Sequence, residues 1–413
     1  MGSYPETTVV SEGAAAALVP WLRERGYSMV LLLSDTQTHA AHAAEVERLL
    51  TTSGCGAKAA VLEGAHVLAD EVHVVEAFVS LTPEIDVVCS VGSGTITDIG
   101  RFLAHRGLRP FVSLPTAASV DGFYSIGAPL ILKGVKRTVI CRPPVALFAD
   151  TEVLSRAPAR LTAAGFGDLL GKLTSWADWN LGALLWDEPF DQQISNSLYS
   201  VSRNTLEVAA DDFGGLMRLL IESGACMVDA GESRPASGAE HHLSHFWEMS
   251  FLSQGEVPPL HGAMVGYATQ IAAALYHHLL SVDPGTQPLE VADDEARIRE
   301  GYPEEVAAQL VRDQKPFLSL TDAARRELRR RIADRWNSVL EIAGKVPAPA
   351  EVRRSLGTAG APRRAEELGL AEDAVSRALK YAHYLRNRFT VLKLYRFLGI
   401  DPEPVARQAL GGF

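Results

Sequence analysis

Through its first 150 residues the chain alternates short aliphatic or β-branched runs with Ala-rich amphipathic stretches, the sequence form of βαβ units feeding a parallel sheet. Met29 to Leu33, Ala59 to Leu62, Val87 to Val91, Phe111 to Leu114 and Val145 to Ala149 are predicted strands. Ala14 to Arg25, Ala40 to Thr52 and Val72 to Leu81 are predicted helices between them. Gly92, Gly94 and Pro115 punctuate strand ends, at the edge where such sheets bind ligands. From about Glu152 the strand signal fades. Helical periodicity then runs over Arg160 to Leu181, Gln193 to Ala210, Gly214 to Ala230, Glu240 to Ser250, His261 to His278, Leu320 to Ile342 and Ala371 to Gly399. Residues 283–305, rich in Asp, Glu, Gly and Pro, read as a solvated insertion. The pattern therefore predicts an α/β, nucleotide-binding candidate domain over residues 1–157 and an all-α domain over 158–413.

Composition narrows the partners. With 413 residues, 47% of them hydrophobic, the chain can bury a sizeable core and lacks the signature of disorder. Its 39 Lys and Arg against 50 Asp and Glu give a formal charge of -11, which repels polyanions, so neither nucleic acid nor a membrane surface is expected as a partner. An anionic substrate must be captured by a local arrangement of amides and a few cations. Cys55, Cys89, Cys141 and Cys226 are far apart, with no CxxC pair, and are expected as reduced buried thiols. MGSYPETTVV lacks the basic start and apolar run of a signal peptide and no run reaches the length of a spanning helix, so the expected location is cytoplasmic.

Three constellations carry candidate chemistry. In VCSVGSGTITD an apolar strand runs into Gly92, Ser93 and Gly94, followed by Thr95, Thr97 and Asp98 in a segment able to start a helix. Backbone amides and the positive helix end can there meet a pyrophosphate, although Thr97 stands where GxGxxG would have its third glycine, and a tight turn is the plain alternative. Asp35, ending the first predicted strand, can accept from an adenosine ribose or cap the next helix. In PTAASVDGFYS the small residues let a ligand approach the backbone, with Thr116, Ser119 and Asp121 supplying polar groups; a surface turn at Asp121 and Gly122 is the alternative.

The third set holds metal-ligand types: Asp168, the segment Glu240 to His245, and His261. His241 and His245 lie one helical turn apart on one face, whereas His242 points elsewhere. One carboxylate with two imidazoles suits a catalytic divalent ion with a vacant position for substrate.

These motifs, in this order, resemble the sn-glycerol-1-phosphate dehydrogenases, within the superfamily of iron-containing alcohol dehydrogenases, glycerol dehydrogenases and 3-dehydroquinate synthases. The resemblance rests on VGSGTITD, LPTAASVDG, ALFADTEVLSRAPARLTAAGFGDLLGK, SRPASGAEHHLSH, LHGAMVGYATQ and RNRFTVLKLYRFLGI, and spans about residues 27 to 400. It implies a dehydroquinate synthase-like fold, with a Rossmann-like α/β N-terminal domain, a helical C-terminal domain and NAD(P) in a cleft between them. It also implies a divalent metal on Asp168, His241 and His261, zinc being the expected ion with nickel and iron as alternatives. Carried over by position, Gly92, Ser93, Gly94 and Asp98 bind pyrophosphate and Thr116 and Ser119 lie beside the nicotinamide. The implied reaction reduces dihydroxyacetone phosphate, with His245 helping to deliver the proton and Asp121 orienting the substrate. Arg234, Lys136 and Arg137 are candidates for the substrate phosphate, and Asp35 tilts the choice toward NAD. A homodimer or larger homo-oligomer is a further expectation.

Two departures bear on the substrate. VGSG replaces the three-glycine run of many superfamily members, and the segment near residues 283–315 has no counterpart. The competing readings are a dehydrogenase of another small polyol or phosphorylated intermediate, a 3-dehydroquinate-synthase-like cyclase, and a silent nucleotide-binding protein. A cyclase of that kind would carry Glu at position 168 and a GHTxGHAxE-type segment instead of SGAEHHLSHFWE.

Overall fold

The computed structural model describes residues 5–64, 66–132, 135–284 and 294–412. It forms two compact units, Met1–Leu169 with Glu207–Ser233, and Leu170–Leu206 with Arg234–Phe413.

The first unit is built on a six-stranded sheet of β1 (Thr7–Ser11), β2 (Met29–Asp35), β3 (Gly56–Leu62), β4 (Val87–Gly92), β5 (Phe111–Pro115) and, after a hairpin of β6 (Gly127–Leu132) and β7 (Val135–Ile140), β8 (Ala146–Asp150). Its order is β1-β8-β5-β4-β2-β3, and every pairing in it is parallel. The five expected strands are all present, with boundaries shifted by a few residues. β1 and the hairpin are additions.

Period-two alternation explains why these runs read as continuously aliphatic. Val30 and Leu32 face one layer, with Leu18, Leu22, Val46 and Leu50 from the helices covering it. Leu31 and Leu33 face the other, against Ile96, Ile99 and Leu103 of helix Gly94–Arg106 and Val74 and Ala77 of helix Glu71–Ser80. Both faces of the central strands are therefore buried. From β2 the chain steps outward to β3 and then returns across β2 to β4, so the strand order reverses between β2 and β4. Open α/β sheets bind ligands at the carboxyl ends beside such a reversal, and here those ends are Asp35 and Gly92.

Helix Phe213–Ala230 belongs to this unit and packs on the short 3-10 turn Asp121–Tyr124. Gly224 permits the contact, because a Cβ there would run into the carbonyl oxygens of Tyr124 and Asp121.

The second unit is helical. Lys172–Trp186, Ala239–Ser253 and the deeply buried His261–Leu279 form its centre. The single helix expected over Arg160 to Leu181 is two, Ala159–Leu170 and Lys172–Trp186, meeting at Gly171. Part of the expected solvated insertion is helical. Residues 285–293 lie outside the described residues, whereas Asp294–Gly301 and Glu304–Asp313 are helices that bury Ile298, Ala307 and Leu310. A few apolar anchors suffice to fold a segment whose mean composition is polar. Among the described residues no helix is long and apolar enough to cross a membrane.

Candidate functional site

In the first unit, β4 ends at Gly92 and Ser93 is the N-cap of helix Gly94–Arg106, making no side-chain capping bond. The first amides of that helix are thus not satisfied by a cap side chain, and they carry the positive end of the helix dipole. A Cβ on Gly92 would lie 2.6 Å from the Cβ of Ile96, and one on Gly94 would lie 3.3 Å from Val120 Cγ2. Glycine is what allows the strand to turn so tightly into the helix. The arrangement fits a pyrophosphate. The amide of Thr116 donates to the carbonyl of Gly92 at 3.1 Å, drawing the PTAAS segment alongside, with Thr116 and Ser119 both buried. Asp35 forms a capping box: its Oδ1 accepts from the Thr38 amide at 2.7 Å and from the Thr38 hydroxyl at 3.0 Å. The helix-cap reading of Asp35 is therefore realised.

Asp98 lies one turn from Arg101, whose guanidinium is fully buried and donates to Asp98 Oδ1 at 3.3 Å. The same guanidinium donates to the carbonyls of Gly122 and Gly127, and to that of Phe123 at 3.4 Å. One cation thereby ties helix Gly94–Arg106 to the turn carrying Asp121. Nothing in the local sequence marks Arg101, which reads as an ordinary helix-surface cation. Asp121 itself is buried: its amide donates to Asp168 Oδ2 at 3.0 Å, and its Oδ2 accepts from the Ser223 hydroxyl at 2.8 Å. Gly165, one turn before Asp168, lets the helix pass directly over the Ala118 carbonyl.

In the second unit His241 and His245 lie on helix Ala239–Ser253, and His261 opens the next long helix. The rings of His241 and His261 are 5.2 Å apart, those of His245 and His261 also 5.2 Å, and those of His241 and His245 6.0 Å. His242 instead turns into the core, where burial first and the positive charges of Arg388 and Arg386 next hold its pKa well below the ordinary histidine value. The rings of His241 and His245 are held by carboxylates. Nδ1 of His241 meets Glu240 Oε1 at 2.8 Å, and Nδ1 of His245 meets Glu248 Oε2 at 3.1 Å. Ligand atoms of His245, Glu248 and His261 fall within 4.8 Å of one another. With Nδ1 of His241 turned to a carboxylate, Nε2 is the atom that could coordinate, and this donor chemistry fits a divalent ion.

Asp178, which the sequence left unmarked, braces this helix. Its carboxylate accepts from the amides of Ala239 and Val391 and from the Tyr276 hydroxyl, each at 2.6 Å. Burial and the neighbouring Glu240 charge nevertheless push its pKa up to about 8. Lys172 reaches the carbonyl of Ala236 at 3.0 Å and Arg388 that of Ser237 at 2.7 Å, fixing the loop before the histidines. Of the three phosphate candidates, Arg234 is ion-paired with Glu188 at 2.7 Å. Lys136 and Arg137 lie in the hairpin strand β7, in the first unit.

The iron-containing alcohol dehydrogenase family model matches residues 9–158. The glycerol-1-phosphate dehydrogenase [NAD(P)+] of Geobacillus stearothermophilus is 38% identical over 402 residues, covering 94% of this chain and 91% of that protein. The chain belongs to the glycerol-1-phosphate dehydrogenase family. The family member from Bacillus subtilis (strain 168) is 33% identical over 399 residues, covering 94% of this chain and 90% of its own length. Among solved structures, 1,3-propanediol oxidoreductase shares the fold with a TM-score of 0.64 at 16% identity, covering 99% of this chain and all of its own. A probable glycerol dehydrogenase from Sinorhizobium meliloti 1021 does so at 0.63 and 16%, covering 99% of both chains. NAD(P) and a divalent metal fit this family, as they fit the cradle and the histidine cluster.

Proposed function

We propose that the chain is a metal-dependent NAD(P)H oxidoreductase interconverting dihydroxyacetone phosphate and sn-glycerol 1-phosphate by hydride transfer. The observation that carries this reading is the near full-length likeness to glycerol-1-phosphate dehydrogenases.

When bound, NAD(P)H supplies the hydride and a divalent ion the Lewis acidity that stabilises negative charge growing on the substrate carbonyl oxygen. Asp168, His241 and His261 hold that ion, zinc being the first choice and nickel or iron the alternatives. Gly92, Ser93 and Gly94 offer amides to the pyrophosphate, and Asp98 borders them. Thr116 and Ser119 flank the nicotinamide, and Asp35, besides capping the next helix through Oδ1, meets the adenosine ribose, which favours NAD over NADP. His245, its Nδ1 held by Glu248, passes a proton carried on Nε2 to the reduced oxygen, the N–H bond breaking as the O–H bond forms. Asp121 shapes the substrate side of the turn through Ser223 and Asp168. Arg234, Lys136 and Arg137 remain the phosphate candidates.

The test follows the absorbance of NADH and NADPH with dihydroxyacetone phosphate, dihydroxyacetone and other small ketones. The protein is first stripped with a chelator and then reloaded with zinc, nickel, iron or magnesium. Strong preference for the phosphate ester, and activity only after metal return, is the expected result. Equal turnover of dihydroxyacetone would assign the chain to another polyol, and full activity without metal would remove the metal from the reaction.

A further inference from the structure

We infer that Glu240 is a positioning residue for the metal, acting through His241. The inference rests on the reading of His241 as a ligand. Glu240 is wholly buried, and its carboxylate accepts from the Gly238 amide at 2.6 Å and from the Thr174 hydroxyl at 2.6 Å. Both of those groups are donors, so the carboxylate acts as acceptor and its third partner, His241 Nδ1 at 2.8 Å, bears the ring proton. That fixes the tautomer and turns Nε2, with its lone pair, to the coordinating side.

The bond to Gly238, the N-cap of helix Ala239–Ser253, gives Glu240 a capping role as well. Capping alone does not account for it. The modest gain from a cap is smaller than the cost of enclosing a carboxylate. A divalent cation on the far side of the imidazole offsets that cost through the ring, and the carboxylate in turn makes the imidazole a stronger ligand. Thr174, on helix Lys172–Trp186, holds the carboxylate from a second element, so its aim does not depend on helix Ala239–Ser253 alone.

The experiment uses the full chain, stripped of metal and titrated with Zn2+ in competition with a chromophoric chelator. Glu240→Gln can keep a carbonyl oxygen toward His241 and Gly238 and its amide toward Thr174, so it removes charge while retaining the bonds. The expected loss of Zn2+ affinity is about tenfold for Glu240→Gln and nearer 100-fold for Glu240→Ala, with NADH binding and the circular dichroism spectrum unchanged. If Glu240→Ala does not fold, Glu240→Gln carries the test. Wild-type Zn2+ affinity in the folded variants, alongside a loss in His241→Ala, overturns the positioning role. So does a parallel fall in Zn2+ affinity, NADH affinity and melting temperature, which marks a structural role only. Unchanged affinity in His241→Ala overturns instead the reading of His241 as a ligand.

Discussion

The main-chain amide of Asp121 donates to Oδ2 of Asp168 at 3.0 Å, which fixes the orientation of a carboxylate that is itself 1% exposed. In Asp168→Asn the same amide requires an oxygen at that position, so the side-chain NH2 is forced into the place of the other oxygen. The substitution is nearly isosteric and should leave the fold intact while replacing an oxygen proposed to bind the metal by a group that cannot coordinate. We expect metal content after dialysis to fall to background and turnover to drop by about 10³-fold, the equivalent of about 4 kcal/mol of Lewis-acid stabilisation. Elemental analysis beside NADH titration checks it. Retained metal with lost turnover would place Asp168 in another role.

The turn at Gly92 makes a second prediction. Because an added Cβ would approach Ile96 to 2.6 Å, Gly92→Ala must push the first turn of helix Gly94–Arg106 away from the strand end. Overpacking of this kind costs about 1–3 kcal/mol, and the displaced amides should weaken NADH binding by tenfold or more. Fluorescence titration with NADH, alongside a Zn2+ titration that should be unaffected, separates the cradle from the metal site. Unaltered NADH affinity would remove Gly92 from the cofactor site.

Arg101 is the third case. Its buried guanidinium serves Asp98 and the carbonyls of Gly122, Phe123 and Gly127 together, so Arg101→Met leaves a carboxylate and main-chain oxygens without their donor. Only the guanidinium is fully buried, Asp98 being 17% exposed, so the loss falls below the ~3–5 kcal/mol of a fully buried pair. Chemical denaturation should show that loss, and the KM for the substrate should rise at temperatures where the variant is still folded, because the Asp121 turn is no longer tied down. A stable variant with normal kinetics would count against the bracing role.

How much of this was legible beforehand follows from the range over which each feature is decided. Strands such as Val87–Gly92 are buried on both faces and announce themselves as unbroken aliphatic runs. The hairpin Gly127–Leu132 with Val135–Ile140 does not, since it mixes Pro129 with Lys136 and Arg137. His241 and His261 were visible because imidazoles clustered near small residues are uncommon. Asp178 and Arg101 were not, and Glu240 was visible only as a member of the acidic and histidine segment, because what each does depends on Val391, Gly127 and Thr174, far away in sequence. The assignment of helix Phe213–Ala230 to the first unit is likewise a long-range fact that its own periodicity cannot carry.

Lys393 leads to a prediction in pH. It is buried, donates to Gln314 Oε1 at 2.6 Å and lies 4.2 Å from the centre of the Phe317 ring. Burial, only partly countered by Asp294, lowers its pKa to about 7. Between about pH 7 and the ordinary lysine value near 10.4, the unfolded chain binds this proton and the folded chain does not. Unfolding then takes up a proton, so the Lys393 contribution makes the protein more stable as pH rises through that window, and the penalty is fully present below it. Asp178 works in the opposite sense: its raised pKa makes stability fall between about pH 4 and pH 8. The two overlap only near pH 7 to 8, so denaturant unfolding of the wild type and of Lys393→Met at pH 8 and pH 9.5 isolates the lysine. The wild type should gain a few kcal/mol relative to the variant between those values, and parallel pH dependences would show that Lys393 stays charged in the fold.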